Sequence, residues 1–287
     1  MKLSEISKVG VVGAGTMGQG IAVSCALAGY ETILFDVSKE ALKTGQDQIK
    51  KMLEQSVSKG KLSQQKFDQA LKKISVTDEV SEVRAELVIE AVVENLKIKQ
   101  NLFTQLEKIN AGKSVLATNT SSIPITQIAE VLQQPSRCIG LHFFNPAHVM
   151  KLVEVIAGTE TNPALILLMK EFTAALGKVA VEVKDSPGFI VNRVARHFYV
   201  ESLKVMEDKV TSFEGIDKLM RSAGFKMGPF ELMDLIGIDV NYAVTTSVYE
   251  GFQKAHKFKP SNIQYQKISE GNLGKKSGKG FYEYSKK

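Results

Sequence analysis

The 287-residue sequence has little cysteine, no long apolar run and no nucleic-acid-binding pattern. Its two cysteines, Cys25 and Cys138, stand among apolar residues at a spacing that fits neither a metal site nor a disulfide framework. No apolar run reaches the length of a membrane span. The chain enters a strand so soon after Met1 that a signal or transit peptide has no room. These absences predict a cytoplasmic protein in a reducing compartment, with no metal and no membrane partner.

The composition is that of an ordinary globular protein, with 44% apolar and 24% charged residues. The net charge of +6 mildly favours anionic ligands such as nucleotides. Basic residues do not alternate with aromatic ones anywhere, so we expect no nucleic-acid partner. The one basic concentration is the tail GNLGKKSGKGFYEYSKK, which is most simply a solvated terminus. The length allows one large domain or two smaller ones.

A glycine-rich turn follows the first apolar run. The strand 9–12 leads into Gly13, Gly15 and Gly18, with Thr16 and Met17 between the last two, and a helix is predicted over 19–28. The first glycine permits the tight turn and the second lets the backbone approach a pyrophosphate. The third allows the helix to pack closely on the strand, and the helix N-terminus offers N–H donors to phosphate. The pattern predicts a dinucleotide site.

Asp36 supports this prediction, because it ends the second predicted strand, 18 residues after Gly18. A carboxylate there accepts hydrogen bonds from the adenosine ribose and repels a 2′-phosphate, which favours NAD over NADP. A merely structural glycine turn would not need an acidic residue at that place.

Strand and helix patterns alternate up to residue 184 and then change. Apolar runs predict strands at 9–12, 31–35, 74–76, 87–93, 114–117, 137–142, 151–156 and 178–183. We therefore predict an α/β fold, with a doubly wound, Rossmann-type sheet over residues 1–184 as the NAD-binding domain. Residues 185–287 are predicted to form a smaller, all-helical substrate and dimerisation domain, with one of its helices over 229–249. Its apolar content favours burial against a partner subunit.

Two predicted strands carry a histidine and a glutamate in IGLHFFNPAHVMKLVEVI. Glu154 lies in an apolar strand, where a carboxylate is costly to bury without a partner, and His142 on the preceding strand can supply one. Such a pair in a cleft makes a tuned proton acceptor. The alternative is a structural histidine and an edge-strand glutamate. His148 is a weaker candidate base because it lies inside the turn.

A run of small polar residues, 118–122, ends another predicted strand. Ligands of open α/β sheets bind at the carboxyl ends of strands. A helix N-cap for the predicted helix over 123–132 would explain one or two of these hydroxyls, but hardly five such residues.

Six segments of the sequence, which follow one another over nearly the whole chain, together resemble the L-3-hydroxyacyl-CoA dehydrogenase family. They are, in order, GVVGAGTMGQGIA, ATNTSS, GLHFFNPAHVMKLVEVI, KDSPGFIVNR, GPFELMD and GKKSGKGFY. The likeness is greatest to its short-chain, stand-alone members, which act on 3-hydroxybutyryl-CoA. The resemblance implies NAD-dependent oxidation of (S)-3-hydroxyacyl-CoA to 3-ketoacyl-CoA and the reverse reduction, in fatty-acid or butyrate metabolism. It also implies a homodimer formed through the helical domain.

The resemblance further implies roles for individual positions. His142 matches the catalytic base and Glu154 the carboxylate that orients it, while Ser121 and Asn192 match residues that contact the substrate. The positions that match cofactor contacts are Gly13, Gly15, Thr16, Met17, Gly18, Asp36, Glu94, Lys99, Asn119, Asn145 and Lys275 or Lys276. The helix over 39–58 aligns poorly with the family, so Lys50, Lys51 and Ser56 are only weak candidates for contacts with CoA.

Two other functions remain open at this level. A sugar-acid dehydrogenase such as gulonate 3-dehydrogenase resembles the same family and shares its His–Glu chemistry. The lysine-rich helix favours an acyl-CoA thioester instead. An NAD-binding structural protein, as some lens crystallins of similar sequence are, would not need Ser121, His142, Glu154 and Asn192 intact.

Overall fold

The computed structural model describes residues 1–284, and the chain divides into two compact units. The first, Met1–Ser186, is here called the sheet unit, and the second, the helical unit, begins at Pro187. The division lies two residues beyond the predicted boundary at 184.

Eight strands form one sheet in the sheet unit. They are β1 Lys8–Val12, β2 Glu31–Phe35, β3 Ile74–Thr77, β4 Leu87–Glu90, β5 Val115–Thr118, β6 Cys138–Phe143, β7 Leu152–Ala157 and β8 Val179–Lys184. Their order is β3-β2-β1-β4-β5-β6-β7-β8, and within the described residues only β6 and β7 pair antiparallel. The predicted doubly wound, mostly parallel sheet is confirmed. The strand order reverses between β1 and β4, which is where such sheets bind ligands.

Helices cover the sheet. They are α1 Thr16–Leu27, α2 Lys39–Ser58, α3 Gln64–Lys73, α4 Leu96–Ile109, α5 Ile125–Ala129 and α6 Pro163–Ala175. The hydroxyl of Ser38 accepts the N–H of Ala41 and caps α2, as its position before an apolar-periodic run predicts. The core lies between these layers and includes Val9, Ile21, Ile89, Leu141, Val155 and Phe172, all almost fully buried.

Two elements of the sheet unit are shorter than the sequence predicts. Strand β4 ends at Glu90 rather than at residue 93, because the N–H of Val92 turns back to donate to the Glu90 carboxylate at 2.7 Å. Helix α5 begins at Ile125 rather than at residue 123, because Pro124 has an extended ψ of 131°. Both shortenings lengthen loops at the carboxyl edge of the sheet.

Five α-helices make up the described part of the helical unit, as predicted for a helical C-terminal portion. They are α7 Val191–Glu207, α8 Phe213–Ser222, α9 Pro229–Ile236, α10 Ile238–Gly251 and α11 Asn262–Ser269. The single helix predicted over 229–249 is wrong, because Gly237 has a φ of 104° and separates α9 from α10. The core of this unit includes Leu203, Phe230, Met233, Ile238 and Phe281.

Two buried aspartates tie the chain end to the helices of this unit. Asp217 accepts the N–H groups of Phe230 and Glu231 and the hydroxyl of Tyr282. Asp234 accepts the N–H groups of Phe281 and Tyr282 and the hydroxyl of Tyr284. Burial raises the pKa of Asp217, although these hydrogen bonds oppose the rise. The basic tail is therefore a packed element up to Tyr284, which corrects the simple interpretation of a solvated terminus.

None of the helices formed by residues 1–284 combines the length and the apolar character needed to cross a bilayer.

Candidate active site

In the glycine turn between β1 and α1, two of the three glycines are closely packed and the third has open space beside it. Gly13 has a φ of 107°, and a Cβ there would lie 2.6 Å from the Ala91 carbonyl oxygen. A Cβ on Gly18 would lie 1.7 Å from the Gly13 carbonyl oxygen, so only glycine fits. At Gly15 a Cβ would meet no atom within 4 Å. The backbone can thus approach a pyrophosphate closely beside the N-terminus of α1, where Thr16 and Met17 form the first turn.

Asp36 lies beside this turn, at the end of β2. Its carboxylate accepts the N–H of Ala14 at 2.8 Å and the N–H of Ser38 at 3.0 Å. The sequence around it, Asp36-Val37-Ser38, offers no arginine to receive a 2′-phosphate. These residues fit the ribose and pyrophosphate of NAD.

His142 and Glu154 face each other across the antiparallel pair β6–β7. They are direct partners in the strand register, and His142 Nδ1 lies 2.7 Å from Glu154 Oε2. Both side chains are buried, with 6% and 1% of their surface exposed. An ionised Glu154 fixes the tautomer with the proton on Nδ1, so that Nε2 is the ring nitrogen able to accept a proton. Phe144 packs against the imidazole, with ring centroids 4.5 Å apart.

Glu94 organises the polar turn that follows β5. Its Oε1 accepts the hydroxyl of Thr120 at 2.6 Å and the N–H groups of Ser121 at 2.9 Å and Ser122 at 3.1 Å. Its Oε2 lies 3.3 Å from Lys99 Nζ. Burial opposes ionisation of Glu94, but Lys99 and the hydrogen bonds from the turn outweigh it and lower the pKa of this carboxyl. The structure therefore brings together three of the residues predicted from sequence, Glu94, Lys99 and Ser121.

Behind this turn lies a buried ion pair that sequence reasoning missed. Lys99 Nζ is 2.6 Å from Glu90 Oε1, and the two side chains are 1% and 0% exposed. Glu90 also accepts the hydroxyl of Thr118 at 2.7 Å. The signal was present in the sequence, since a glutamate in the apolar run 87–93 needs a partner for the same reason as Glu154.

Two asparagines lie near the end of β6, which carries His142. The Asn119 side-chain oxygen accepts the N–H of Phe143 at 2.8 Å and joins the loop after β5 to the end of β6. Asn145 is exposed in the turn between β6 and β7, and the bond between it and Pro146 is cis.

Lys178 stabilises the turn between β6 and β7, and sequence reasoning missed this residue as well. Its ammonium donates to the carbonyl oxygens of Ala147 at 2.6 Å and Met150 at 2.8 Å. Burial lowers the pKa of Lys178. Burial and then Lys178 also lower the pKa of the half-buried His148, which disfavours its protonated form. The Lys178 interactions fix the turn that carries Asn145.

The remaining predicted residues are placed as follows. Lys50 and Lys51 are exposed on α2, with Lys50 4.0 Å from Glu54, and the Ser56 hydroxyl donates to the Met52 carbonyl in the same helix. In the helical unit, Asn192 is half-buried in the first turn of α7. Lys275 and Lys276 lie in a single 3₁₀ turn, where Lys276 Nζ is 2.6 Å from Asp239 and Lys275 lies over the Tyr284 ring. Their roles stay predictions.

A glycine turn with a following acidic residue, joined to a buried His–Glu pair, defines an oxidoreductase that uses a dinucleotide cofactor. The chain belongs to the 3-hydroxyacyl-CoA dehydrogenase family. Residues 8–186 match the family model described as 3-hydroxyacyl-CoA dehydrogenase, NAD binding domain, and residues 188–284 match its C-terminal domain. It is thus an NAD-dependent enzyme of this family, as the resemblance predicted.

Similar proteins agree on the family. A 3-hydroxyadipyl-CoA dehydrogenase of Escherichia coli is 47% identical over 98% of this chain, which spans only 59% of that relative. A probable 3-hydroxybutyryl-CoA dehydrogenase of Bacillus subtilis is 39% identical over 99% of both chains. The solved structure of a 3-hydroxybutyryl-CoA dehydrogenase from Escherichia coli has a TM-score of 0.94 and 44% identity, covering 98% of this chain and 60% of that one.

Proposed function

We propose that the chain interconverts (S)-3-hydroxyacyl-CoA and 3-ketoacyl-CoA with NAD, with His142 as general base and Glu154 as the residue that orients it. The observation that carries this proposal is the buried contact of 2.7 Å between His142 Nδ1 and Glu154 Oε2. A histidine held in this way presents Nε2 to a substrate hydroxyl with a defined tautomer.

In the oxidative direction His142 takes the proton of the 3-hydroxyl group through Nε2. Glu154 stabilises the imidazolium that results, and the pair contributes on the order of a hundredfold or more to the rate as a general base. In the reductive direction the imidazolium returns the proton to the substrate oxygen. Ser121 and Asn192 donate hydrogen bonds as charge develops on that oxygen.

The sheet unit holds the cofactor, which supplies the chemistry of hydride transfer when it is bound. The glycine turn and the N-terminus of α1 bind the pyrophosphate, and Asp36 accepts hydrogen bonds from the ribose. Glu94, Lys99, Asn119 and Asn145 line the nicotinamide half, and Lys275 or Lys276 adds a contact from the tail. Glu94 also fixes Ser121, so one carboxylate serves both cofactor and substrate positions.

A short acyl-CoA is the proposed substrate, with 3-hydroxybutyryl-CoA preferred. A relative named for 3-hydroxybutyryl-CoA matches over 99% of both chains, and a second protein named for that substrate shares the fold with a TM-score of 0.94. The exposed lysines of α2, including Lys50 and Lys51, offer positive charge to the phosphates of CoA.

A homodimer through the helical unit is proposed as the assembly. Large apolar side chains of this unit remain exposed in the single chain, among them Leu219 (67%), Leu235 (50%), Phe225 (49%) and Val240 (46%). Apolar side chains in such numbers are typical of a subunit interface. Light scattering at micromolar concentration should give twice the chain mass.

The test of the proposed activity follows nicotinamide absorbance with acetoacetyl-CoA and NADH. The expected result is oxidation of NADH by acetoacetyl-CoA, and no reduction of NAD by L-gulonate when the assay is run in the opposite direction. Comparison of acetoacetyl-CoA with 3-ketoadipyl-CoA tests the preference for a short chain. No oxidation of NADH with any 3-ketoacyl-CoA would contradict the proposal.

A further inference from the structure

We propose that Glu90 is a positioning residue for the reaction, which holds Lys99 and the turn of residues 120–122 in the geometry that receives the nicotinamide and the substrate oxygen. The inference rests on the proposed function for the roles of Lys99, Glu94 and Ser121. Glu90 itself lies at the end of β4 and is completely buried.

Both carboxylate oxygens of Glu90 accept hydrogen bonds, and one of the donors is the charged ammonium of Lys99. Oε1 accepts the Lys99 ammonium at 2.6 Å and the N–H of Val92 at 2.7 Å, while Oε2 accepts the Thr118 hydroxyl at 2.7 Å. Lys99 is only 1% exposed, so water does not compensate its charge. A buried ammonium needs a partner carboxylate. Because Glu90 supplies it at the shortest distance, Glu90 fixes where the Lys99 ammonium lies.

Two routes of successive contacts lead from Glu90 to the turn of residues 120–122. The first runs from Lys99 to Glu94 Oε2 at 3.3 Å, and Glu94 Oε1 then binds the N–H groups of Ser121 and Ser122. The second runs through Thr118, whose hydroxyl donates to Glu90 and accepts the N–H of Thr120 at 3.2 Å. The routes meet at Thr120, because its hydroxyl donates to Glu94 at 2.6 Å.

The charges around Lys99 explain why loss of the Glu90 charge alone should disturb the turn of residues 120–122. Lys99 lies between two carboxylates, nearer to Glu90 than to Glu94, at 2.6 Å against 3.3 Å. Without the charge of Glu90, Lys99 has only Glu94 as a partner and moves towards it. The contact of Glu94 with Lys99 would then become stronger and its hydrogen bonds to the turn of residues 120–122 weaker. Ser121 would shift as a result.

The test compares Glu90→Gln with the unmodified enzyme. Dissociation of NADH is measured by its own fluorescence, and KM for NADH and kcat with acetoacetyl-CoA are measured well below the unfolding temperature of each variant. We expect Kd and KM for NADH to rise about tenfold and kcat to fall about tenfold, since a buried charge loses its partner next to the site. A merely structural role would lower Tm and leave Kd, KM and kcat of the folded enzyme unchanged, and that result would overturn the proposal.

Glu86→Gln is the matched control, because Glu86 immediately precedes β4 and accepts the N–H groups of Ser7 and Lys8 at the other end of the strand. It should leave KM for NADH unchanged. Should Glu90→Gln not fold, Thr118→Val decides the question, since it breaks only the second route. A rise of about threefold in KM for NADH supports the inference, and an unchanged KM overturns it.

The result is separable from the proposed function. An unmodified enzyme that oxidises no NADH contradicts the proposed reaction, whatever the variants do. An active unmodified enzyme whose Glu90→Gln variant keeps its NADH binding and turnover contradicts only the role of Glu90.

Discussion

The buried carboxylates of the two units differ in the kind of partner that they contact. In the helical unit, Asp217 and Asp234 accept backbone N–H groups and tyrosine hydroxyls, which are neutral donors. In the sheet unit, Glu154 faces a histidine and Glu90 faces a lysine, both of which can carry charge. Neutral donors fix a carboxylate in a single state and stabilise the chain. An ionisable partner adds a proton or a charge that a reaction can use, which supports the roles proposed for Glu154 and Glu90.

The largest expected effect tests that distinction at Glu154. Glu154→Gln keeps the shape of the side chain but removes the charge that stabilises the imidazolium in the proposed mechanism. We expect kcat to fall by about a hundredfold or more while Kd for NADH stays near normal. Stopped-flow turnover and NADH fluorescence measure the two quantities. Full activity in this variant would mean that the pair is structural, like Asp217.

Asp36→Ala comes next, and it tests an intermediate case. Asp36 lies in the sheet unit, but the donors to its carboxylate among residues 1–284 are backbone N–H groups. Loss of the proposed contact between Asp36 and the ribose should weaken NAD binding about tenfold and narrow the preference for NAD over NADP. The ratio of kcat/KM for the two cofactors is the measurement. An unchanged ratio would place Asp36 with the purely structural carboxylates.

Asp217→Asn should affect stability and spare chemistry. The amide offers one oxygen where the carboxylate offers two to Phe230, Glu231 and Tyr282. We expect a loss of about 1–3 kcal/mol in the free energy of unfolding, measured by urea denaturation, with KM for NADH unchanged. Tyr282→Phe removes one of these donors and should cost less. A variant as stable as the parent would refute the structural role.

The smallest expected effect concerns pH and Glu94. The folded-state pKa of Glu94 lies below its value in the unfolded chain. Its contribution to stability is therefore complete above the ordinary value of 4.5 and is lost as the pH falls through the lower folded-state pKa. The difference in unfolding free energy between the parent and Glu94→Gln should stay constant from neutral pH to about pH 5 and narrow as the pH falls from there to about pH 3. A difference independent of pH would show that the charge of Glu94 does not contribute.

Local patterns in the sequence predicted much of the fold. The glycine turn, Asp36 and the ends of β2 and α2 depend on residues close together in the chain, so spacing and capping define them. The contact of His142 with Glu154 was also predictable, because two neighbouring strands joined by a short turn bring them together and a glutamate in an apolar strand needs a partner.

Other features depend on contacts between distant segments. That Glu90 meets Thr118 follows from the register of β4 with β5, in which the two residues pair. No local pattern encodes that register. Lys178 meets the turn at Ala147 only because β8 lies beside β7. The separation of α9 from α10 follows from the positive φ of Gly237, which the apolar periodicity of the segment does not reveal.

Within residues 1–284, β6 and β7 are the only neighbouring strands of the sheet that run antiparallel. The length of the turn between them therefore determines whether His142 and Glu154 pair. Side chains of a strand alternate between the two faces of the sheet. Insertion or deletion of one residue between Phe143 and Leu152 that shifted the register by one would send Glu154 to the face opposite His142. Catalysis would then be lost without any change to a side chain at the site. Natural variation in this segment should therefore alter residue types far more readily than residue number.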